Sequence, residues 1–306
     1  MQVQYEPALL DAVLSALIQE REASGDLRFT HEYHALTDPA YGLAPSAREE
    51  AFRHIHRRLF RRWKLTAPVE AILAEFPEIQ EQVTTLWVVG APTPRDEGAD
   101  LQVSGQTTAS LRLLPRRLLD PRGLQRLLRH ELTHLADLLD PTFAYDAVAQ
   151  IPGILPAEEP LIQDRYRLLW DITVDGRLLR AERETVASRE QRRTEFEAQY
   201  RGVPGPLLER TLRRLAEMPR PAHPDLLEMA TDPGRALFGT REGTNHVPPG
   251  SLCPLCRFPS AQILHGPGQI AMPLAETIRG DFPEWRPELG ACERCLERYT
   301  VCRETP

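Results

Sequence analysis

The chemically suggestive residues of this 306-residue chain fall into two groups, and the first is His130-Glu131-x-x-His134 in the run RHELTHLADLLD. Histidines four apart on a helix lie about 40° apart on the wheel and one turn along, so both imidazoles can face one ion. Zinc binds imidazole nitrogen at about 2.0 Å, a reach that such a pair satisfies. Zinc also lowers the pKa of its bound water to about 7, and Glu131 is placed to take that proton as the water attacks a carbonyl. Glu131 carries a second signal. With His130 at 0°, Leu124, Leu127, Leu128, Leu132, Leu135, Leu138 and Leu139 occupy roughly 60–200°, and Glu131 falls near about 100°, inside this arc. Arg126, Arg129, Thr133 and Asp137 lie on the other side. A carboxylate on a buried face is costly without a compensating partner, and a metal-held water would be one. The plainer reading is a helix with two partly exposed histidines and a structurally paired glutamate.

The second group is Cys253-x-x-Cys256 and Cys292-x-x-Cys295. Each C-x-x-C forms a tight turn that can aim two thiolates at one tetrahedral ion, and four thiolates leave no open position. A closed, structural zinc site is expected, with the 35 residues between the pairs carrying an insertion and a short helix near 272–279. The bland alternative is disulfides or free thiols. Cys302 is left over, and His265 is a minor candidate to replace one ligand.

A catalytic zinc keeps three protein ligands and an open position. No histidine follows His134 until His223, and the nearest acidic candidates are Asp171 and Asp175 in LLWDITVDGRLL. Four apart on one helix, they share a face. Apolar residues flank them on both sides, so that helix is expected to run through the interior, where two carboxylates need positive partners. Ordinary ion pairs with arginine are the plainer role for each. In layout, H-E-x-x-H followed by an acid and then Asp four residues later resembles the gluzincin-type zinc metallopeptidases. The resemblance implies Asp171 as the third ligand and Asp175 as the residue that orients a zinc-bound histidine. Gluzincins normally place Glu at the ligand position, and Asp is one methylene shorter. The wording W-D-I-x-x-D is also similar to the W-N-I-x-x-D of a group of uncharacterised bacterial metallopeptidase-like proteins, where Asn replaces the first acid; this shifts weight to Asp175. H-E-x-x-H ahead of a C-terminal cysteine module further resembles the SprT-like proteases, which act on DNA-bound proteins, although their later histidine ligand has no convincing counterpart here.

The elements that must position these residues are readable in part. Helices are expected over 6–22, 45–63, 121–139, 160–190 and 206–217, from three- and four-residue apolar spacing. Asp120-Pro121 is a helix start. Strands are expected at 86–90 and 108–114, with 92–105 as a polar loop and 145–160 irregular. The strand SLRLL fits the zincin plan, in which an edge strand lies beside the active-site helix and can take extended peptide by strand addition. Tyr145, Tyr166 and His223 are candidates to stabilise an oxyanion. His31 and His34 are read as packing or turn residues. His54 and His56 point to different sides, and the arginines between 53 and 62 form a solvated face.

Composition bounds the class. Hydrophobic residues make up 42% and charged residues 26%, near globular averages, with net charge −7. That balance disfavours a whole-surface attraction to nucleic acid or anionic membrane. No apolar run approaches a membrane span, and residues 1–19 lack a basic signal-type start, so a cytoplasmic setting is expected. Together these readings predict an α+β protein: a mainly helical zincin-like domain with a small sheet over 1–245 (N-terminal helices 1–80 packing on a catalytic core 81–245), then a zinc-ribbon or treble-clef-like module over 246–306. The expected activity is zinc-dependent peptide hydrolysis with one catalytic and one structural Zn2+, acting on a peptide or protein substrate. The alternatives are a non-catalytic metal-binding scaffold and a SprT-like protease acting on nucleic-acid-bound proteins, with nucleic acid a less favoured partner. Oligomeric state is not readable.

Overall fold

The computed structural model describes residues 1–146, 159–201, 203–239, 251–260, 263–266 and 268–304. The protein is α+β and mostly helical, with one small sheet in its N-terminal half. Contacts divide it into two compact units, Met1–Pro141 with Glu182–Val186, and Thr142–Ala181 with Ala187–Pro306. The expected first domain thus covers the first unit and part of the second, and the cysteine module belongs to the second. The expected boundary near 245 lies outside the described residues. Among the described residues, no helix is long and apolar enough to cross a membrane.

The first unit contains, in chain order, β1 (Gln2–Tyr5), α1 (Pro7–Ala23), α2 (Arg28–Thr37), α3 (Pro45–Arg62), α4 (Ala67–Leu73), α5 (Pro77–Gln82), β2 (Thr85–Gly90), β3 (Gly98–Ser104), β4 (Gln106–Leu113) and α6 (Pro121–Leu139). The sheet order is β1-β2-β4-β3, with β1, β2 and β4 parallel and β3 antiparallel at the edge. Register puts Val3, Leu86, Ala109 and Leu101 in one row, and Tyr5, Val88, Leu111 and Ala99 in the next. Since side chains alternate faces along a strand, these rows form one apolar face. It joins Leu10, Val13, Leu14, Phe60, Val69 and the leucines of α6 in a single core. The alternate row, Gln4, Trp87, Ser110 and Asp100, faces away from that core.

Two expectations fail here for physical reasons. SLRLL lies in β4, which is an inner strand paired on both sides, not the edge. The edge is β3, inside the segment read as a polar loop. β3 alternates Ala99, Leu101 and Val103 with Asp100, Gln102 and Ser104, but Val103 is exposed and only Ala99 and Leu101 pack on the core. The period-two signal is short and lies between Gly98 and Gly105, which read as loop residues.

The second unit opens its described part with α7 (Glu159–Arg180), α8 (Arg189–Gln199), α9 (Gly205–Glu217) and α10 (His223–Thr231). The helix expected to reach residue 190 stops at Arg180. Glu182 adopts a left-handed φ of 57°, which an α-helix cannot continue, and Ser188 starts α8 with a reciprocal capping box to Gln191. Helices α7 and α9 cross closely at Gly176. A Cβ there would lie 2.0 Å from the backbone oxygen of Ala216, so only glycine fits. Most of the segment expected to be irregular, 147–158, lies outside the described residues.

The cysteine module follows, with β5 (Ser251–Leu252), β6 (Pro259–Ser260), β7 (Ile263–Leu264), α11 (Met272–Asp281), β8 (Ala291–Cys292) and α12 (Glu293–Glu304). Strands β5 and β6 pair antiparallel, as do β7 and β8. Cys253, Cys292 and Cys295 are part of its small core, with Ile270, Ile278, Trp285 and Leu296.

Candidate metal centres

Helix α6 is the frame of the first candidate. Asp120 caps it by accepting the Gly123 amide N–H at 3.0 Å, with Pro121 in the first turn. Its leucine arc is buried as the wheel requires: Leu124, Leu128, Leu132 and Leu135 are all inaccessible. His130 is buried and His134 half-buried. Their Nε2 atoms lie 3.1 Å apart, with the rings roughly perpendicular. Two ligands of a tetrahedral ion with bonds of about 2.0 Å stand about 3.3 Å apart. The pair therefore fits a shared ion, and it equally fits an imidazole–imidazole hydrogen bond.

Glu131 is half-buried, and its Oε2 accepts the amide N–H of Ala99 on the edge strand at 3.0 Å. The inference from burial is thereby corrected. The carboxylate inside the leucine arc has a protein partner, so its position alone does not demand a metal-held water. Sequence reasoning missed that partner because it missed β3. It also set Asp137 apart from the site. Asp137 is fully buried, and at seven residues from His130 it is only about 20° away on the wheel. It lies on the histidine stripe itself.

In the second unit, Asp171 and Asp175 share a face of α7 and meet one cation. Arg192 of α8 donates from Nε to Asp175 at 2.7 Å, reaches Asp171 from Nη1 at 3.2 Å, and bonds Glu195 at 2.8 Å. The expected positive partner includes Arg192, which comes from the next helix, α8. Burial alone would lower the pKa of Arg192; Asp171 and Asp175 outweigh it and raise it. Asp175 is the more enclosed acid, with 5% of its side chain exposed against 18% for Asp171.

The same unit gathers the three candidate oxyanion donors. The Tyr166 hydroxyl and His223 Nδ1 are 2.6 Å apart, and the Tyr145 ring packs edge-on against His223. Burial lowers the His223 pKa, and Asp146 opposes this.

The four cysteines converge. The Sγ atoms of Cys253 and Cys295 are 3.9 Å apart, those of Cys256 and Cys292 are 3.8 Å apart, and all four lie within 4.8 Å of one another. Zinc–sulfur bonds of about 2.3 Å in a tetrahedron require about 3.8 Å. None of the four is in a disulfide. Burial pushes the Cys253 thiol up, but amides of Cys256, Cys292 and Leu255 outweigh it and bring the thiol down to about 7. Cys295 is pushed up by burial and by the neighbouring thiols. Burial likewise pushes the Cys292 thiol up; Cys292 immediately precedes α12 and Cys295 lies in its first turn. His265 is buried nearby in sequence, but its Nδ1 faces the Glu288 carbonyl at 3.2 Å, and it is not among the converging ligands.

His31 and His34, expected in a turn or in packing, are instead exposed on α2. His34 is exposed beside Asp38, His54 is exposed, and His56 is buried against Tyr33. Arg57, Arg58, Arg61 and Arg62 face solvent. No known protein family, curated protein or solved structure matches the chain.

Proposed function

We propose that the protein is a zinc-dependent metallopeptidase with a second, structural zinc in its cysteine module. The observation that carries the reading is the convergence of His130 and His134 Nε2 atoms on adjacent turns, beside a carboxylate of the same helix. His130, His134 and Asp171 are the proposed ligands. Asp171 is preferred to Asp175 because it is the less enclosed acid and its contact to Arg192 is the longer one. Zinc supplies Lewis acidity and a water of pKa near about 7. Glu131 is the proposed base, and its bond to Ala99 fixes its carboxylate against the edge strand. Asp175 and Arg192 hold Asp171 in place. The outer edge of β3 is the proposed docking rail for an extended peptide. The C-terminal module is proposed to be treble-clef-like, with one cysteine pair in a hairpin turn and the other at a helix start.

The bond between Glu131 and Ala99 also favours a second reading, a scaffold that holds metal and cleaves nothing, with Glu131 tying helix to sheet. Incubation of the zinc-loaded protein with a quenched peptide library separates the two. Cleavage that a zinc chelator stops, and that Glu131→Gln lacks, supports the peptidase. Equal, negligible turnover in both proteins supports the scaffold. The module carries about as many acidic as basic residues, so nucleic acid is not part of the proposal.

A further inference from the structure

Arg165, on α7, is 4% exposed, and Tyr200, which closes α8, is fully buried. The Arg165 Nε and Nη2 groups and the Tyr200 hydroxyl are all buried without a hydrogen-bond partner. Among the described residues, the one polar contact of the guanidinium is Nη1 to the Ala230 carbonyl at 3.5 Å, the outer limit of a hydrogen bond. Among the described residues, no carboxylate pairs with it. The cation lies over the Tyr200 ring, 5.9 Å from its centroid, and Phe196 and Phe238 pack on the same ring.

This arrangement is unusual on electrostatic grounds. A buried charge without a counter-ion is strongly disfavoured, and a cation over an aromatic face recovers only part of the loss. Burial accordingly lowers the Arg165 pKa, with only Tyr200 acting in the opposite sense. Two orphaned polar side chains, one from α7 and one just past the end of α8, thus belong to one buried aromatic cluster.

We propose that Arg165 and Tyr200 form an internal site for a small monovalent anion of the chloride class. One negative charge cancels one guanidinium. Two free guanidinium nitrogens and a phenol O–H suit a spherical acceptor. The phenylalanines around Tyr200 offer nothing to the additional oxygens of phosphate or sulfate, which would be stripped of hydration without replacement. A water molecule would satisfy the donors but leave the charge uncompensated. Occupancy joins α7 to the end of α8 and to the last turn of α10, and it stabilises the folded chain by mass action.

The test uses the full-length protein in sodium gluconate, with chloride exchanged in at constant ionic strength, and reads Tm. The wild type is expected to show a saturable rise of several degrees. Arg165→Met should abolish the dependence, and Tyr200→Phe, which keeps the guanidinium and the packing, should raise the chloride midpoint several-fold. Line broadening of the chloride NMR signal by the wild type gives a readout independent of Arg165→Met folding. Superimposable chloride and gluconate curves would overturn the proposal, leaving water as the occupant. So would a chloride response unchanged in Tyr200→Phe and in any folded Arg165→Met, which would place the anion elsewhere. A larger response to sulfate would overturn the monovalent assignment.

Discussion

Replacing Glu131 by Gln and by Ala separates the two roles this residue occupies. Its Oε2 accepts the Ala99 amide at 3.0 Å, and Ala99 is half-buried. Truncation to Ala leaves that amide unpaired, at a cost of about 1–3 kcal/mol. Gln keeps an acceptor oxygen at the same reach and loses only the charge assistance, about 1 kcal/mol or less. At roughly 2–4 °C per kcal/mol for a unit of this size, Glu131→Ala should melt about 2–12 °C below wild type and Glu131→Gln within about 4 °C of it. Chemistry should not follow the same order. Neither variant retains a carboxylate base, so both should lose about 10²–10⁴-fold in peptide turnover while keeping their metal. Differential scanning fluorimetry beside a quenched-peptide assay reads both quantities. If Glu131→Gln melts as low as Glu131→Ala, the edge-strand bond is not what holds this side chain. If Glu131→Gln cleaves at a near wild-type rate, Glu131 is not the base.

Further outcomes follow from packing and charge. Gly176→Ala drives a methyl into the Ala216 carbonyl and should cost about 1–3 kcal/mol in urea unfolding; an unchanged midpoint would show that α7 and α9 do not cross so closely. Burial lowers the His56 pKa, with Asp11 opposing. The folded state therefore resists protonation, and stability should fall as pH drops through about 6.5, the value of the unfolded imidazole. His56→Gln should flatten the Tm profile between about pH 7.5 and 5.5, and parallel profiles would contradict this. Cys295→Ser removes one ligand and a piece of the core around Trp285. Limited proteolysis should then cut within 251–304 while the first unit stays intact, and a wild-type fragment pattern would argue against a metal holding the module together.

The sequence was most legible where one strong pattern acted alone. The leucine arc and the Asp120-Pro121 start located α6 and its histidine pair, because local capping and helical periodicity agree there. The two C-x-x-C turns announced their own convergence. Legibility failed where partners were distant or patterns short. Strand β3 alternates Ala99, Leu101 and Val103 with polar residues, but this short pattern between Gly98 and Gly105 reads as a loop, and with it the partner of Glu131 stayed hidden. The end of α7 was overrun because the arginine- and glutamate-rich stretch that follows keeps helical composition; the signal that could have found it was the Ser188-x-x-Gln191 box. Arg192 meets both aspartates from the next helix, a pairing that spacing along one helix cannot express. Arg165 and Tyr200 gave no sequence signal at all, since an arginine among polar neighbours reads as surface.

The account rests most heavily on a metal held by the α6 histidines, and metal content measures that directly. Elemental analysis of the purified protein should find about two zinc per chain, about one in His134→Ala, and about one in Cys295→Ser. Wild-type stoichiometry retained in His134→Ala would contradict the site on α6 and the peptidase reading with it.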